Sequence, residues 1–334
     1  MKLIVDTQIV RISDFAPKAR AAIRKACTYT EAGAEYIRRK LNQPWIGKVC
    51  LAKDDSGGIT VPIGMLRDVC KVLKKRGFEY KISDIRKDPQ KIAGLTWDES
   101  IVPRPHQIAS VIAVTKPGLY YGTGTIKAPI RSGKTITAAL AIYTIRVRTT
   151  FVVPSKQLVE QTRASLARSL GIPIGVCSDG HWTIQDVNVA TTQALCAAKQ
   201  NRKEDYARLA EKTDMVIVDE VHHMTGKQWN KAVIGLKPRY RIGLSATAYF
   251  NETSEIERGV MWVRALCGGV VIDVSVSDMI EAGYLVAPDI YMHTIRAPLC
   301  QGMPWGEPLK QKAITKNASR NAKIVELACT HADA

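Results

Sequence analysis

The sequence predicts an α/β fold: a parallel sheet with helices packed against it, preceded by a small basic α+β unit. Three observations carry this. Short, wholly apolar runs such as Met215-Val216-Ile217-Val218 and Phe151-Val152-Val153 recur, each followed by small or charged residues. Such runs read as strands buried on both faces, as parallel sheets require. Segments with helical spacing alternate with them, and a glycine-bearing turn, Ala128 to Thr135, stands between one strand and one helix.

Length and composition bound the rest. The 334 residues suggest two domains and part of a third, and 46% hydrophobic residues are ample for real cores. The net charge of +17 points to a polyanionic partner, with a generally basic surface as the alternative. No apolar run approaches the ~20 residues that span a bilayer. The start, Met1-Lys2-Leu3-Ile4-Val5-Asp6, lacks a signal-peptide pattern. The eight cysteines are scattered, without metal-ligand spacing. They read as reduced thiols of an intracellular, cytoplasmic protein.

In chain order, Lys2 to Ile12 reads as one strand, and Asp14 as the cap of a helix through about Cys27. Ile46 to Leu51 and Ile59 to Val61 read as strands about a hairpin turn at Asp54 to Gly58. A helix follows, with Leu66, Val69, Cys70 and Leu73 at i, i+3, i+4, i+7. Lys71, Lys74, Lys75 and Arg76 crowd its C-terminal half, Gly77 stops it, and Phe78 to Ile82 returns as strand. The first hundred residues hold 20 Lys/Arg against 12 Asp/Glu, so the basic helix is a candidate duplex-binding face; a solvated face is the alternative.

Asp88-Pro89-Gln90 and Gly94 mark a linker. Pro103-Arg104-Pro105-His106-Gln107 then leads into an apolar helix. The strand Thr125 to Lys127 enters the turn Ala128-Pro129-Ile130-Arg131-Ser132-Gly133-Lys134-Thr135, and a helix from Ile136 to about Arg146 leaves it. In this context backbone N–H groups cradle phosphates, Lys134 reaches the β- and γ-phosphates, and the Thr135 hydroxyl takes Mg²⁺. Ala128 replaces the first glycine of the usual pattern. Arg131 stands where many such loops carry glycine, and its N–H can face a phosphate if its φ is negative. Its guanidinium contacts nucleotide or points outward.

Phe151 to Val153 is a strand, and Ser155 reads as the N-cap of a helix carrying Leu158, Val159 and Thr162. Val187 to Ala190 is a strand ending at Thr191-Thr192-Gln193. Met215 to Val218 ends at Asp219-Glu220-Val221-His222, and Arg239 to Leu244 ends at Ser245-Ala246-Thr247. Ligands in open α/β sheets sit beyond the carboxyl ends of the strands. Asp219 there suits a Mg²⁺ ligand and Glu220 a water-orienting base.

This order of elements resembles the superfamily 2 helicases of the DExH type. Arg104 and Gln107 resemble the adenine-reading segment, and Gly133-Lys134-Thr135 resembles motif I. Pro154, Leu158 and Gln161 resemble motif Ia, and Thr191-Thr192-Gln193 resembles Ib. Asp219-Glu220-Val221-His222 resembles motif II, and Ser245-Ala246-Thr247 motif III. The likeness spans roughly 104–250, and the phage UvsW-type branch-migration helicases, which carry a basic N-terminal module, are the most similar group.

The resemblance implies a RecA-like ATP-binding lobe at 94–310, a nucleic-acid-binding domain at 1–93, and a linker at 311–334 towards a second lobe that this chain does not contain. It implies ATP and Mg²⁺ as cofactors. Arg104, Gln107, Arg131, Ser132, Gly133, Lys134 and Thr135 would hold the nucleotide, and Thr135 and Asp219 the metal. Lys134, Asp219, Glu220 and His222 would be catalytic, with a structural histidine as the alternative for His222. Ser245, Ala246 and Thr247 would couple nucleotide state to movement. Pro154, Ser155, Gln161, Thr191, Thr192 and Gln193 would face the nucleic acid, beside the basic helix.

The implied function is an ATP-dependent DNA helicase or translocase that remodels branched DNA as a monomer, slow in hydrolysis without the second lobe's arginines. The motor of a restriction or remodelling enzyme, and a non-catalytic nucleic-acid binder with a residual ATP site, are the alternatives. Trp182, Trp229 and Trp305 are either base-stacking groups or core residues.

Overall fold

The computed structural model describes residues 1–31, 47–118, 120, 122–224, 227–247, 258–288, 290–295 and 306–330. The described contacts divide the chain into two compact units, 1–285 and 286–334, rather than at the expected boundaries 93 and 310.

The first unit begins with a small mixed module. Its strands are β1 (Lys2–Val5), β2 (Ile9–Ser13), β3 (Thr28–Thr30), β4 (Lys48–Cys50), β5 (Lys53–Asp55), β6 (Gly58–Pro62) and β7 (Lys81–Asp84). Helices α1 (Pro17–Ala26) and α2 (Leu66–Lys75) pack on them. Five strands form one sheet in the order β5-β6-β2-β1-β7, and β3 pairs with β4 separately.

Several sequence expectations shift here. The single strand expected at Lys2 to Ile12 is an antiparallel pair, folded back near Thr7. Asp14 does not cap α1; its φ is +56, and the helix starts at Pro17, where the ring suits the first turn. The turn at Ser56-Gly57 lies where expected, but it joins β5 to β6, while Lys48–Cys50 pairs with Thr28–Thr30. The helix with Leu66, Val69, Cys70 and Leu73 buried is as expected, and Gly77 (φ +72) closes it. The returning strand is displaced to Lys81–Asp84.

The larger layer follows. After α3 (Pro105–Thr115) its elements are β8 (Thr123–Lys127), α4 (Lys134–Ile145), β9 (Thr149–Val153), α5 (Gln157–Leu170), β10 (Ile174–Ser178), β11 (His181–Thr183), β12 (Val187–Thr191), α6 (Thr192–Asn201) and α7 (Lys203–Glu211). Then come β13 (Met215–Val218), α8 (Lys227–Ile234), β14 (Tyr240–Ser245), α9 (Arg258–Cys267), β15 (Val270–Asp273) and α10 (Val276–Glu281). The sheet order is β11-β10-β12-β9-β13-β14-β8-β15. Every pairing is parallel except β10 with β11, an edge hairpin turned by Asp179-Gly180. The expected parallel sheet is present, and β9, β12 and β13 are buried along their whole length, which is why they read as unbroken apolar runs.

The module and the large sheet share structure. Met261 and Ala265 of α9 lie in the module's core, while Val263, Leu266 and Cys267 of the same helix lie in the core beneath the large sheet. Gly64 lets the two meet, because a Cβ there would collide with the backbone oxygens of Arg264 and Ala265. Arg241 on β14 is fully buried and donates to the Thr7 carbonyl; burial lowers its pKa to about 10. Asp84 of the module pairs with Arg86 at 2.7 Å and with Arg239 at 3.5 Å.

The second unit contains α11 (Glu307–Lys310), a π turn at Gln311–Thr315 and α12 (Ala318–Thr330). The stretch expected as a linker at 311–334 is therefore helical over most of its described length. Asn317 caps α12: its Oδ1 accepts the Arg320 N–H at 3.1 Å.

Among the described residues no helix is long and apolar enough to cross a membrane.

Candidate nucleotide site at the carboxyl edge of the sheet

The phosphate-loop segment 128–133 links β8 to α4. It is anchored at its start, where the Ala128 N–H donates to the Ser245 carbonyl at 2.9 Å. Ala128 is buried, so the methyl that replaces the usual glycine points into the core. At its end Gly133 has φ +80 and forms the N-cap of α4. A Cβ at Gly133 would collide with the Gln107 side-chain nitrogen. Lys134 is the first residue of α4, with Thr135 behind it in the same turn, where N–H groups and the helix dipole favour an anion.

Arg131 departs from expectation. Its φ is +65, so the negative φ that would turn its N–H to a phosphate is not adopted. A non-glycine residue held there costs roughly 1–2 kcal/mol. Its side chain is exposed.

Gln107 does something other than expected. Its Oε1 accepts the Arg104 N–H at 2.9 Å, and its Nε2 donates to the carbonyls of Ser132 at 3.0 Å and Gly133 at 3.3 Å. Both ends of the amide hold loop and helix together, rather than reaching outward to a base. His106 adds a second brace through Nε2, 2.9 Å from the Ser132 carbonyl. Arg104 donates to the Arg131 carbonyl at 3.4 Å and lies over the Tyr284 ring, 4.7 Å from its centroid. His106 meets the same ring edge-on at 5.7 Å. Sequence reasoning gave no role to His106 or Tyr284; His106 flanks Gln107, which it had singled out, and only the fold brings Tyr284 to this place.

Asp219 and Glu220 follow β13 directly. Asp219 is held by its N–H to the Val152 carbonyl, 2.9 Å, and its Oδ1 accepts the Glu220 N–H at 3.0 Å. Burial, and then the Glu220 carboxylate, raise the Asp219 pKa. Glu220 sits at φ +45, a turn that swings its side chain back towards the loop. Its Oε1 lies 2.9 Å from Lys134 Nζ, and its Oε2 lies 3.2 Å from His222 Nδ1. His222 Nδ1 is also 3.0 Å from Ser245 Oγ and 3.4 Å from Thr247 Oγ1, and Ser245 Oγ donates to the Thr247 carbonyl at 3.1 Å. Burial and the neighbouring His223 lower the His222 pKa, which favours the neutral ring. A continuous polar path thus runs from Lys134 through Glu220 and His222 to Ser245 and Thr247, with Ala246 between the last two. The expected catalytic and coupling residues meet in one place.

The residues expected to face nucleic acid do not share one surface. Ser155, Thr191 and Gln193 line a cleft of about 690 Å³ together with Lys156, Trp182 and Arg202. Ser155 does not cap α5 through its side chain; its carbonyl accepts the Leu158 N–H. Thr191 Oγ1 caps α6 by accepting the Ala194 N–H, and Thr192 is fully buried, so neither hydroxyl is offered outward as expected. The Gln193 amide donates to the half-buried Pro154's carbonyl at 3.3 Å, and Gln161 is exposed on α5, outside the cleft lining. Trp182 packs against the core, with Arg202 over its ring at 5.6 Å. Trp305 and the side chain of Trp229 lie outside the described residues. Lys71, Lys74, Lys75 and Arg76 are all exposed on or just after α2.

Residues 100–250 match the family model of the type III restriction enzyme res subunit. The chain is 25% identical over 205 residues to a candidate DNA 3'-5' helicase, Rad25, of Haloarcula marismortui, a match covering 60% of this chain and 30% of that protein. It is 28% identical over 124 residues to the DNA 3'-5' translocase XPB2 of Sulfurisphaera tokodaii, covering 37% of this chain and 27% of that one. The chain thus spans about a third of the length of the curated relatives it matches. Its fold is similar to that of the UvsW helicase of bacteriophage T4, with a TM-score of 0.59 and 19% identity over 80% of this chain and 98% of that one.

Proposed function

We propose that this chain carries the RecA-like ATP-binding lobe of a superfamily 2 helicase and works as part of an ATP-dependent DNA helicase or translocase that remodels branched DNA. The observation that carries the reading is the polar path from Lys134 through Glu220 and His222 to Ser245 and Thr247. A path of this kind lets the state of a phosphate at Lys134 be felt at the end of β14.

The residues present fit ATP and magnesium. Gly133 lets the Gln107 amide close on the loop end and hold it against α4, and Ser132 Oγ is buried without a partner. The Asp219 carboxyl is half-buried at the strand end, with its second oxygen not engaged by the Glu220 N–H. Thr135 and Asp219 would hold magnesium, which supplies neutralisation of phosphate charge. Lys134 would bind the terminal phosphates, and the first turn of α4 would add N–H groups. Glu220 would exchange its ion pair with Lys134 for a water that it orients and deprotonates. Arg104 and Tyr284 offer a flat cationic and aromatic surface for the base. His222 would report the change to Ser245 and Thr247.

DNA as the partner is supported by the charge of +17 and by the named activities of the relatives. The test is ATP hydrolysis and nucleotide affinity with forked, linear duplex and single-stranded DNA, with Lys134→Ala as background. Larger stimulation by forked than by linear DNA supports the branch-remodelling reading. Indifference of both quantities to every DNA overturns the motor reading.

A further inference from the structure

The cations of α2 are not equivalent. Arg67, Lys71 and Lys74 share one face, and with Lys116, just beyond α3, they line a groove of about 590 Å³. Tyr80 and Tyr120 form part of its wall, and the Arg67 guanidinium lies over the Tyr120 ring at 4.7 Å from the centroid. A second hollow, which adds Lys81 and Glu79, adjoins the first across Lys74 and Tyr80. Across both, five Lys/Arg face one carboxylate, that of Glu79. Asp68 lies on the same helix with its Oδ2 buried, and its charge is shared among Arg264, Lys71 and Arg67. Lys75 and Arg76 line neither hollow.

We propose that this groove is a track for a nucleic-acid phosphate backbone, and that it, rather than the whole basic surface of α2, is where the N-terminal module holds DNA. The proposal rests on the nucleic-acid motor reading above. Five cations set along two adjoining hollows repel one another, and a bound polyanion relieves that repulsion. Arg67 and Lys71 are about 6 Å apart along the helix axis and Lys74 about 4.5 Å further on. A duplex offers several phosphates over such a run. The cation–π contact holds Arg67 towards the groove at no cost in flexibility when DNA arrives. The track also has a route to the ATP site. Lys116 follows the last turn of α3, and the first turn of the same helix carries Gln107 and His106, which brace the phosphate loop.

The test is fluorescence anisotropy of a labelled linear duplex with the 334-residue chain across a salt titration. Wild type is compared with Lys71→Glu/Lys74→Glu/Lys116→Glu and with Lys75→Glu/Arg76→Glu. All these side chains are exposed, and a Lys71→Gln/Lys74→Gln/Lys116→Gln variant guards against misfolding from charge reversal. The track predicts that both triple variants flatten the log–log salt slope by about 2–3, near 0.9 for each lost phosphate contact. The Lys75/Arg76 pair should leave the slope within about half a contact of wild type. Equal flattening by the pair and the triples, or none by either, overturns the track while leaving DNA binding intact. A wild-type chain that binds no duplex overturns the nucleic-acid reading itself, and the track with it.

Discussion

Lys134 Nζ lies 2.9 Å from Glu220 Oε1, an ion pair between the first residue of α4 and the second residue beyond β13. Both side chains are largely shielded, at 13% and 24% exposure, so each charge matters more to the other than on an open surface. A phosphate drawn to Lys134 must compete with Glu220, and a Glu220 released by that competition is free to act on water. Two functions are thereby coupled through a single contact.

Glu220→Gln should separate them. The amide keeps the size and removes the competing charge, so nucleotide affinity should hold or rise by up to about tenfold. Turnover should fall by about 10²–10³, the usual contribution of a positioned base. Isothermal titration beside a phosphate-release assay checks this. A parallel loss of affinity and turnover would mean that Glu220 supports the loop and not the chemistry.

Asp219 gives a pH prediction. Its folded pKa is raised, first by burial and then by Glu220. The folded state therefore binds this proton more tightly than the unfolded state, and the stability deficit is present above the ordinary carboxylate range and relieved as pH falls. Asp219→Asn should raise the melting temperature at pH 7, with the gain shrinking towards pH 4, and should remove magnesium-dependent tightening of nucleotide binding. A variant less stable than wild type at pH 7 would show that the carboxylate is compensated in the fold.

Arg131 occupies a left-handed conformation with an exposed side chain. Arg131→Gly should relieve part of that strain, offset by the greater freedom of glycine in the unfolded chain. Nucleotide affinity should stay within about threefold. A loss greater than tenfold in the same titration would assign the guanidinium a direct contact with nucleotide.

Gly64→Ala tests how the module is joined to the large sheet. The added methyl meets the carbonyl oxygens of Arg264 and Ala265, backbone atoms that cannot rotate away. Overpacking of this kind costs about 1–3 kcal/mol. Thermal unfolding should shift down by several degrees. An unchanged melting temperature would mean that module and α9 part easily.

How far the sequence could be read depended on how local each feature is. Lys134, Asp219 and Glu220 were legible because loop, strand end and helix start are contiguous and each has its own residue pattern. Strands β9, β12 and β13 were legible because they are buried on both faces. The split of Lys2 to Ile12 was not: its reversal carries no glycine or proline, only Asp6, whose Oδ1 accepts the Thr7 N–H at 2.6 Å and whose own N–H donates to the Ile9 carbonyl at 3.0 Å. The β10–β11 hairpin did carry a signal, Asp179-Gly180, both with positive φ, and it was overlooked. The use of Gln107 as a brace, the burial of Arg241 against Thr7 and the arrival of Tyr284 beside Arg104 depend on contacts between distant segments, which no local pattern encodes. The inequality of Lys71 and Lys74 with Lys75 and Arg76 depends on Lys116, 40 residues or more away in the chain.

The central claim is that Lys134 and its loop bind the phosphates of ATP, and the most direct measurement is a titration of wild type and Lys134→Ala with a fluorescent ATP analogue in magnesium. Lys134 contributes a single ion pair to the fold, at the site itself, so the variant should retain its circular dichroism and unfold cooperatively. The account predicts saturable binding by wild type and at least a tenfold weaker affinity for the variant. Equal affinities in two folded proteins would contradict it.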